Sequence, residues 1–148
     1  MMGTIIEVKE EHVEDLTRLT MELWPGHDVV ELTNEYKETL KTDNNKFYLY
    51  IENGVAVAFM HLSIRVDYVE GSESSPTGYL EGVYVQPDYR RKGISTELFN
   101  EGKSWLKENG CKQIGSDMEM DNQDSYPFHM SLGFNEAGRI ITFIRDIE

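Results

Sequence analysis

The sequence predicts an α/β (α+β) domain with a mixed central sheet flanked by helices, and three observations predict it. Apolar residues recur at threes and fours over 11–24, 29–41 and 94–109, the period of helices with one buried face. Runs rich in β-branched and aromatic residues at 4–8, 46–52, 55–67, 79–86, 112–117 and 139–146 have the composition of strands. The resulting order, β-α-α-β-β-β-α-β-α-β, mixes the two types along one chain and implies a single sheet covered by helices.

Each element has its own signal. Thr4–Val8 is short and β-branched. From Glu11 to Trp24, Val13, Leu16, Leu19 and Leu23 share a helix face, which Pro25-Gly26 ends because proline cannot continue the backbone ladder. A second helix over Val29–Lys41 buries Leu32, Tyr36 and Leu40. The period then changes: Lys46–Glu52 and Val55–Asp67 are strands joined at Asn53-Gly54, a two-residue hairpin signal. Polar, glycine-rich VEGSESSPTG (69–78) is a loop, and Tyr79–Gln86 a strand stopped by Pro87-Asp88. Helix returns over Ile94–Asn109, with Leu98, Phe99, Trp105 and Leu106 buried and Gly110 as its cap. Lys112–Asp117 is a strand, Ser125–Leu132 a short helix and Arg139–Asp146 a closing strand. No repeat, linker or boundary divides residues 1–148, so one domain is expected.

Composition narrows the function. The chain is 39% hydrophobic and 28% charged, outside the disordered range, and no apolar run has the length of a membrane span. Met1–Asp15 has no basic-then-apolar leader pattern, and the single cysteine, Cys111, allows no internal disulfide, so a reducing cytoplasm is expected. A formal charge of −13 repels nucleic acid and anionic membranes and suits either solubility or a cationic partner. His61 and His129 make no metal-ligand spacing, and no metal is expected. His12 is assigned to the surface, while His61 and Arg65 point outward or line a cleft.

Against this acidic background, YLEGVYVQPDYRRKGIST (79–96) carries Arg90, Arg91 and Lys92 immediately before Gly93 and a helix start. A strand-to-helix turn presents unpaired N–H groups at the positive end of a helix dipole, and a glycine lets a ligand approach the backbone. An anion site follows, although neither GxxxxGK[ST] nor GxGxxG is present. Glu81 is a second oddity: a carboxylate inside an apolar strand needs a partner.

The composite strand–Pro–x–x–Arg–x–x–Gly–x–small–helix resembles the acetyl-CoA motif of the GNAT superfamily of N-acetyltransferases. It reads Arg90-Arg91-Lys92-Gly93-Ile94-Ser95, with serine where the family has glycine or alanine. Asn122 and the later Leu132-Gly133-Phe134 fit the same family. Leu23-Trp24-Pro25-Gly26-His27, Asp67-Tyr68-Val69, Ser74-Ser75-Pro76, Leu80-Glu81-Gly82 and Ser116-Asp117 together resemble the aminoglycoside 6'-N-acetyltransferases.

The resemblance implies the GNAT acyl-CoA N-acyltransferase fold, with two parallel strands splayed apart. The pantetheine arm of acetyl-CoA would pair with Val83, Tyr84 and Val85. The pyrophosphate would sit on Arg90, Arg91, Lys92, Gly93, Ile94, Ser95 and Thr96, with Asn122 beyond the second strand. Acceptor contacts would be Trp24, His27, Tyr68, Glu81 and Asp117, residue types suited to a polyamine-rich sugar. The family's acidic contact after the Gly-Phe pair falls on Gly138, with Glu136 two residues away.

The implied chemistry is direct attack of an amine on the thioester, since Cys111 has no evident activating base. Glu81 or Asp117 would position the amine and take its proton, and a backbone N–H of 83–85 would stabilise the oxyanion. His129 stands where many members carry an acidic tyrosine, with Tyr126 as the alternative donor. A GNAT enzyme for another small amine, or a non-catalytic binding module, are the other readings; a homodimer is expected, with the apolar last strand serving it or the core.

Overall fold

The computed structural model describes residues 3–148. Five strands form one sheet in the order β1-β2-β3-β4-β5: β1 (Thr4–Glu7), β2 (Asn45–Glu52), β3 (Val55–Arg65), β4 (Thr77–Val85) and β5 (Ile114–Ser116). All neighbours are antiparallel except β4 and β5, which run parallel. Helices α1 (Val13–Leu23) and α2 (Val29–Thr39) connect β1 to β2; α3 (Ile94–Glu108) connects β4 to β5, and α4 (Ser125–Ser131) follows.

The sheet is buried on both faces, so its central strand β3, VAVAFMHLSIR, is a nearly continuous apolar run. Strand alternation divides the core. Phe47, Leu49 and Phe59 meet Leu16 and Leu19 of α1, whereas Met60, Leu62 and Leu80 meet Leu98, Phe99 and Leu106 of α3. Each fully buried leucine contributes about 1.5–3 kcal/mol by leaving water. Asn53 and Gly54 both have positive φ (52° and 79°), the twist-compatible geometry of a two-residue hairpin. Asp28 caps α2 by accepting the Glu31 N–H at 3.0 Å.

The predicted closing strand, Arg139–Asp146, does not form. Residues 135–148 have no regular structure, and Ile140, Ile141, Phe143, Ile144 and Ile147 are 73–99% exposed. Its β-branched and aromatic composition suits a strand only where a neighbour packs on it, and among the described residues no strand pairs with it. The predicted strand at 112–117 shortens to Ile114–Ser116, the three residues that pair with Gly78–Leu80 of β4. His61 does not point outward: its ring stacks on Phe47 at 4.0 Å and Nε2 lies 2.8 Å from Asn45 Oδ1. Burial pushes its pKa down to about 4, against the pull of the Glu81 carboxylate. His12 is partly covered rather than on the surface, its Nδ1 accepting the Lys9 N–H at 2.9 Å.

Candidate active site

Half-way along β4 the strand loses one partner. Gly78, Tyr79 and Leu80 pair with Ile114, Gly115 and Ser116, and the parallel pairing ends there. Against β3, β4 continues to Val85, but with a slip: Leu62 faces Leu80 and His61 faces Gly82. Glu81 is therefore an extra residue, a bulge that bends the strand and re-aims its side chain. From Glu81 to Val85 the β5-facing edge has no strand beside it among the described residues, which leaves Val83, Tyr84 and Val85 as a template for an amide-bearing extended ligand.

The edge leads into a turn at Pro87–Tyr89 and then to α3. Arg91 and Gly93 adopt left-handed backbone, at φ 63° and 81°. A Cβ on Gly93 would meet nothing within 4 Å, so the requirement there is conformational rather than steric. Gly93 is the cap residue of α3, and no side chain bonds the helix start; Ser95 does not act as a cap. The amides of Ile94, Ser95 and Thr96 thus have no intrahelical acceptor. Arg91 and Lys92 are exposed beside them, while Arg90 turns back, its Nε donating to the Val85 carbonyl at 2.8 Å.

The two carboxylates expected at the site follow the last parallel pair directly, Glu81 after Leu80 and Asp117 after Ser116. Both are tied. Ser63 Oγ donates to Glu81 Oε2 at 2.5 Å, and Arg65 grips both Glu81 oxygens at 2.9–3.2 Å. Tyr79 donates its hydroxyl to Asp117 Oδ2 at 2.5 Å. Burial, then that contact with Asp117, pushes the Tyr79 phenol up, so it stays protonated. Trp24 is the closing residue of α1, and its Cη2 lies 3.0 Å from where a Cβ on Gly82 would be. The glycine after Glu81 thus lets the indole rest on β4.

The other expected acceptor residues lie at the surface. His27 is exposed in the α1–α2 loop, and Tyr68 is 78% exposed with its hydroxyl donating to Glu70 Oε2 at 3.2 Å. Glu70 Oε1 also lies 3.0 Å from where a Cβ on Gly138 would be, so a carboxylate from another loop stands beside the glycine. His129 Nδ1 donates to the Ser125 carbonyl at 2.8 Å, so in the neutral ring Nε2 is the acceptor for Ser116 Oγ–H at 2.7 Å. Tyr126 instead donates to Glu136 at 3.0 Å. Asn122 Oδ1 accepts the Ser125 N–H at 3.2 Å, at the start of α4. The Cys111 thiol is buried and its pKa raised by that burial, the reverse of an activated nucleophile.

Sequence reasoning missed Ser63, Arg65, Tyr79 and Ser116 as partners of these groups. The alternation of β3, which puts 61, 63 and 65 on one face, was the signal available for the first two.

The chain that carries this splayed pair and glycine turn is similar over its length to known proteins. Residues 9–134 match the model of the acetyltransferase (GNAT) family, and the chain belongs to that family. It is 38% identical over 143 residues to an aminoglycoside N(6')-acetyltransferase type 1 of Acinetobacter genomosp. 13, covering 97% of this chain and 98% of the relative. The crystal structure of aminoglycoside antibiotic 6'-N-acetyltransferase AAC(6')-Ih from Acinetobacter baumannii superposes with a TM-score of 0.93 at 35% identity, covering 99% of both chains. AAC(6')-Iy in complex with the bisubstrate analog CoA-S-monomethyl-acetylneamine superposes with a TM-score of 0.94 at 33% identity, covering 99% of this chain and 100% of that one.

Proposed function

We propose that the chain is an aminoglycoside 6'-N-acetyltransferase, moving the acetyl group of acetyl-CoA to the 6'-amine of an aminoglycoside. The observation that carries this reading is the free β4 edge from Glu81 to Val85, with uncapped α3 amides at one end and two carboxylates at the other. Near-full-length similarity to enzymes named for that reaction supports it.

Acetyl-CoA supplies the activated acetyl group as a thioester that an amine attacks directly. The chain's own residues do the rest. Val83–Val85 would hold the pantetheine amides, and Arg91 to Thr96 the pyrophosphate, with Arg90 closing the loop and Asn122 bordering the far side. Glu81 and Asp117 orient the ammonium, and the acceptor's proton passes to carboxylate or water. Trp24 and Tyr68 would offer ring faces to sugar and ammonium groups, and His27, exposed in the α1–α2 loop, would join them. Holding the nitrogen against the thioester supplies much of the rate. In its imidazolium form, with Nδ1–H on the Ser125 carbonyl and Nε2–H donating to Ser116 Oγ, His129 would be the proton source for the departing sulfur, the Ser116 hydroxyl passing its own proton on as it takes one from Nε2; Tyr126, tied to Glu136, is the alternative donor.

A homodimer is part of the reading. Five large apolar side chains at 73–99% exposure are too many for solvent, and β5 is the outer strand of the sheet. A second copy covering 139–147 would bury them. We also place the enzyme in the cytoplasm: no helix among the described residues could cross a membrane, and acetyl-CoA is an intracellular metabolite.

Coenzyme A release with kanamycin-type acceptors tests the assignment. Turnover on a 6'-amine and none on the 6'-hydroxyl analogue is expected. Equal turnover on both would remove the 6'-selectivity, and turnover on neither would point to another amine.

A further inference from the structure

Arg65 of β3 places a cation inside the acceptor end of the site. Its Nη2 lies 3.0 and 2.9 Å from Glu81 Oε1 and Oε2, its Nε 3.2 Å from Oε2, and its Cζ 3.5 Å from the centre of the Tyr79 ring. A carboxylate on one side and an aromatic face on the other are the contacts that recognise a substrate ammonium. The pair is partly sheltered, with side-chain exposures of 41% for Arg65 and 24% for Glu81. Ser63 adds a further donor to Oε2. Glu81 therefore meets an incoming polycation with its charge already answered. Asp117 differs: its partner is the neutral hydroxyl of Tyr79, and among the described residues it forms no ion pair.

We propose that Arg65 is a positioning residue that divides the work of the two carboxylates: it fixes and neutralises Glu81, so that Asp117 carries the net attraction for the acceptor ammonium. The assignment rests on the acetyl-transfer reading and adds a determinant of acceptor affinity outside β4 and β5. Arg65 weakens the pull on a polycation and in return holds the bulge residue in one orientation. The same Arg65 guanidinium, packed over the Tyr79 ring, also ties the two carboxylates into one unit, from Ser63 through Glu81, Arg65 and Tyr79 to Asp117.

Steady-state kinetics with kanamycin, on wild type, Arg65→Met, Arg65→Lys, Glu81→Gln and the Arg65→Met/Glu81→Gln pair, test this. Arg65→Met removes the competing cation, and its acceptor KM should fall roughly three- to tenfold at low salt. The difference should shrink as salt rises, while the acetyl-CoA KM stays put. Arg65→Lys keeps the charge and should leave the acceptor KM near wild type, with kcat reduced because a point charge cannot hold both oxygens. Glu81→Gln strands Arg65 and should raise acceptor KM; adding Arg65→Met should bring it back down. A rise in acceptor KM in Arg65→Met, or no relief in the double variant, would overturn the proposal. Calorimetric titration of the same proteins with kanamycin separates the two readings. A wild type that binds without turnover counts against 6'-acetylation, whereas the ratio of dissociation constants still decides the role of Arg65.

Discussion

Replacing Tyr79 by Phe isolates one hydrogen bond of the site. The hydroxyl sits 2.5 Å from Asp117 Oδ2, the residue is 8% exposed, and its ring supports the Arg65 guanidinium at 3.5 Å. Phenylalanine keeps the ring and the stacking and removes only the donor. Hydrogen bonds to charged groups contribute about 1.5–3 kcal/mol. Asp117 is exposed, so the lower end applies, and 1.4 kcal/mol is a factor of ten in rate. The acceptor kcat/KM should fall about tenfold, with an unchanged acetyl-CoA KM. The phenol pKa is raised, so the donating neutral form persists below its ordinary value near 10 and is lost only above it. The wild-type to Tyr79→Phe ratio should therefore be flat from about pH 6 to pH 9. A ratio near one, or an equal loss of acetyl-CoA affinity, would refute the assignment of Asp117 to the acceptor.

Three further predictions test other parts of the molecule. Gly93→Ala forces a Cβ into left-handed backbone at a cost of about 1–2 kcal/mol, lowering Tm by roughly 2–8 °C and raising the acetyl-CoA KM; Gly93→Asn, which tolerates that conformation better, should do less. His61, held down to about 4 by burial, is neutral in the fold while the unfolded chain takes a proton below about 6.5. Its stabilising effect is full above that pH and is lost as pH falls toward 4, to a total on the order of 3 kcal/mol; denaturant midpoints of His61→Phe should show a correspondingly flatter acid limb, and an unchanged limb would contradict the burial argument. Ile144→Asp places a charge in a segment proposed to meet a second copy, so sedimentation should show the dimer weakened with the monomer fold intact; an unaltered association state would refute that contact.

Two local features of the candidate site were readable before the fold was known. Glycine at 93 announces a left-handed turn because few other residues enter that region cheaply, and the structure puts it at φ 81°. Glu81 stood out because a carboxylate in an apolar strand is costly unless partnered, and the partners are Ser63 and Arg65. Their identity was not legible, since 18 and 16 residues of chain separate them from Glu81, and only the register of β3 on β4 brings them together. The same holds for Tyr79 with Asp117 and Ser116 with His129, pairs made across parallel strands and between sheet and helix. Residues 139–146 failed for a related reason: β-branched and aromatic composition marks a segment able to form a strand, but not whether a neighbour exists to receive it.

Local chemistry in the sequence thus announced the helix and strand types as far as residue 131, the hairpin at Asn53-Gly54, the helix stop at Pro25-Gly26 and the left-handed turn at Gly93, because each depends on dihedral preferences within a few residues. Tertiary structure alone decided where β4 parts from β5, that Glu81 is a bulge, and which cation and hydroxyl hold the two carboxylates. Those are contacts between distant segments, fixed by strand register and core packing rather than by any residue's own propensity.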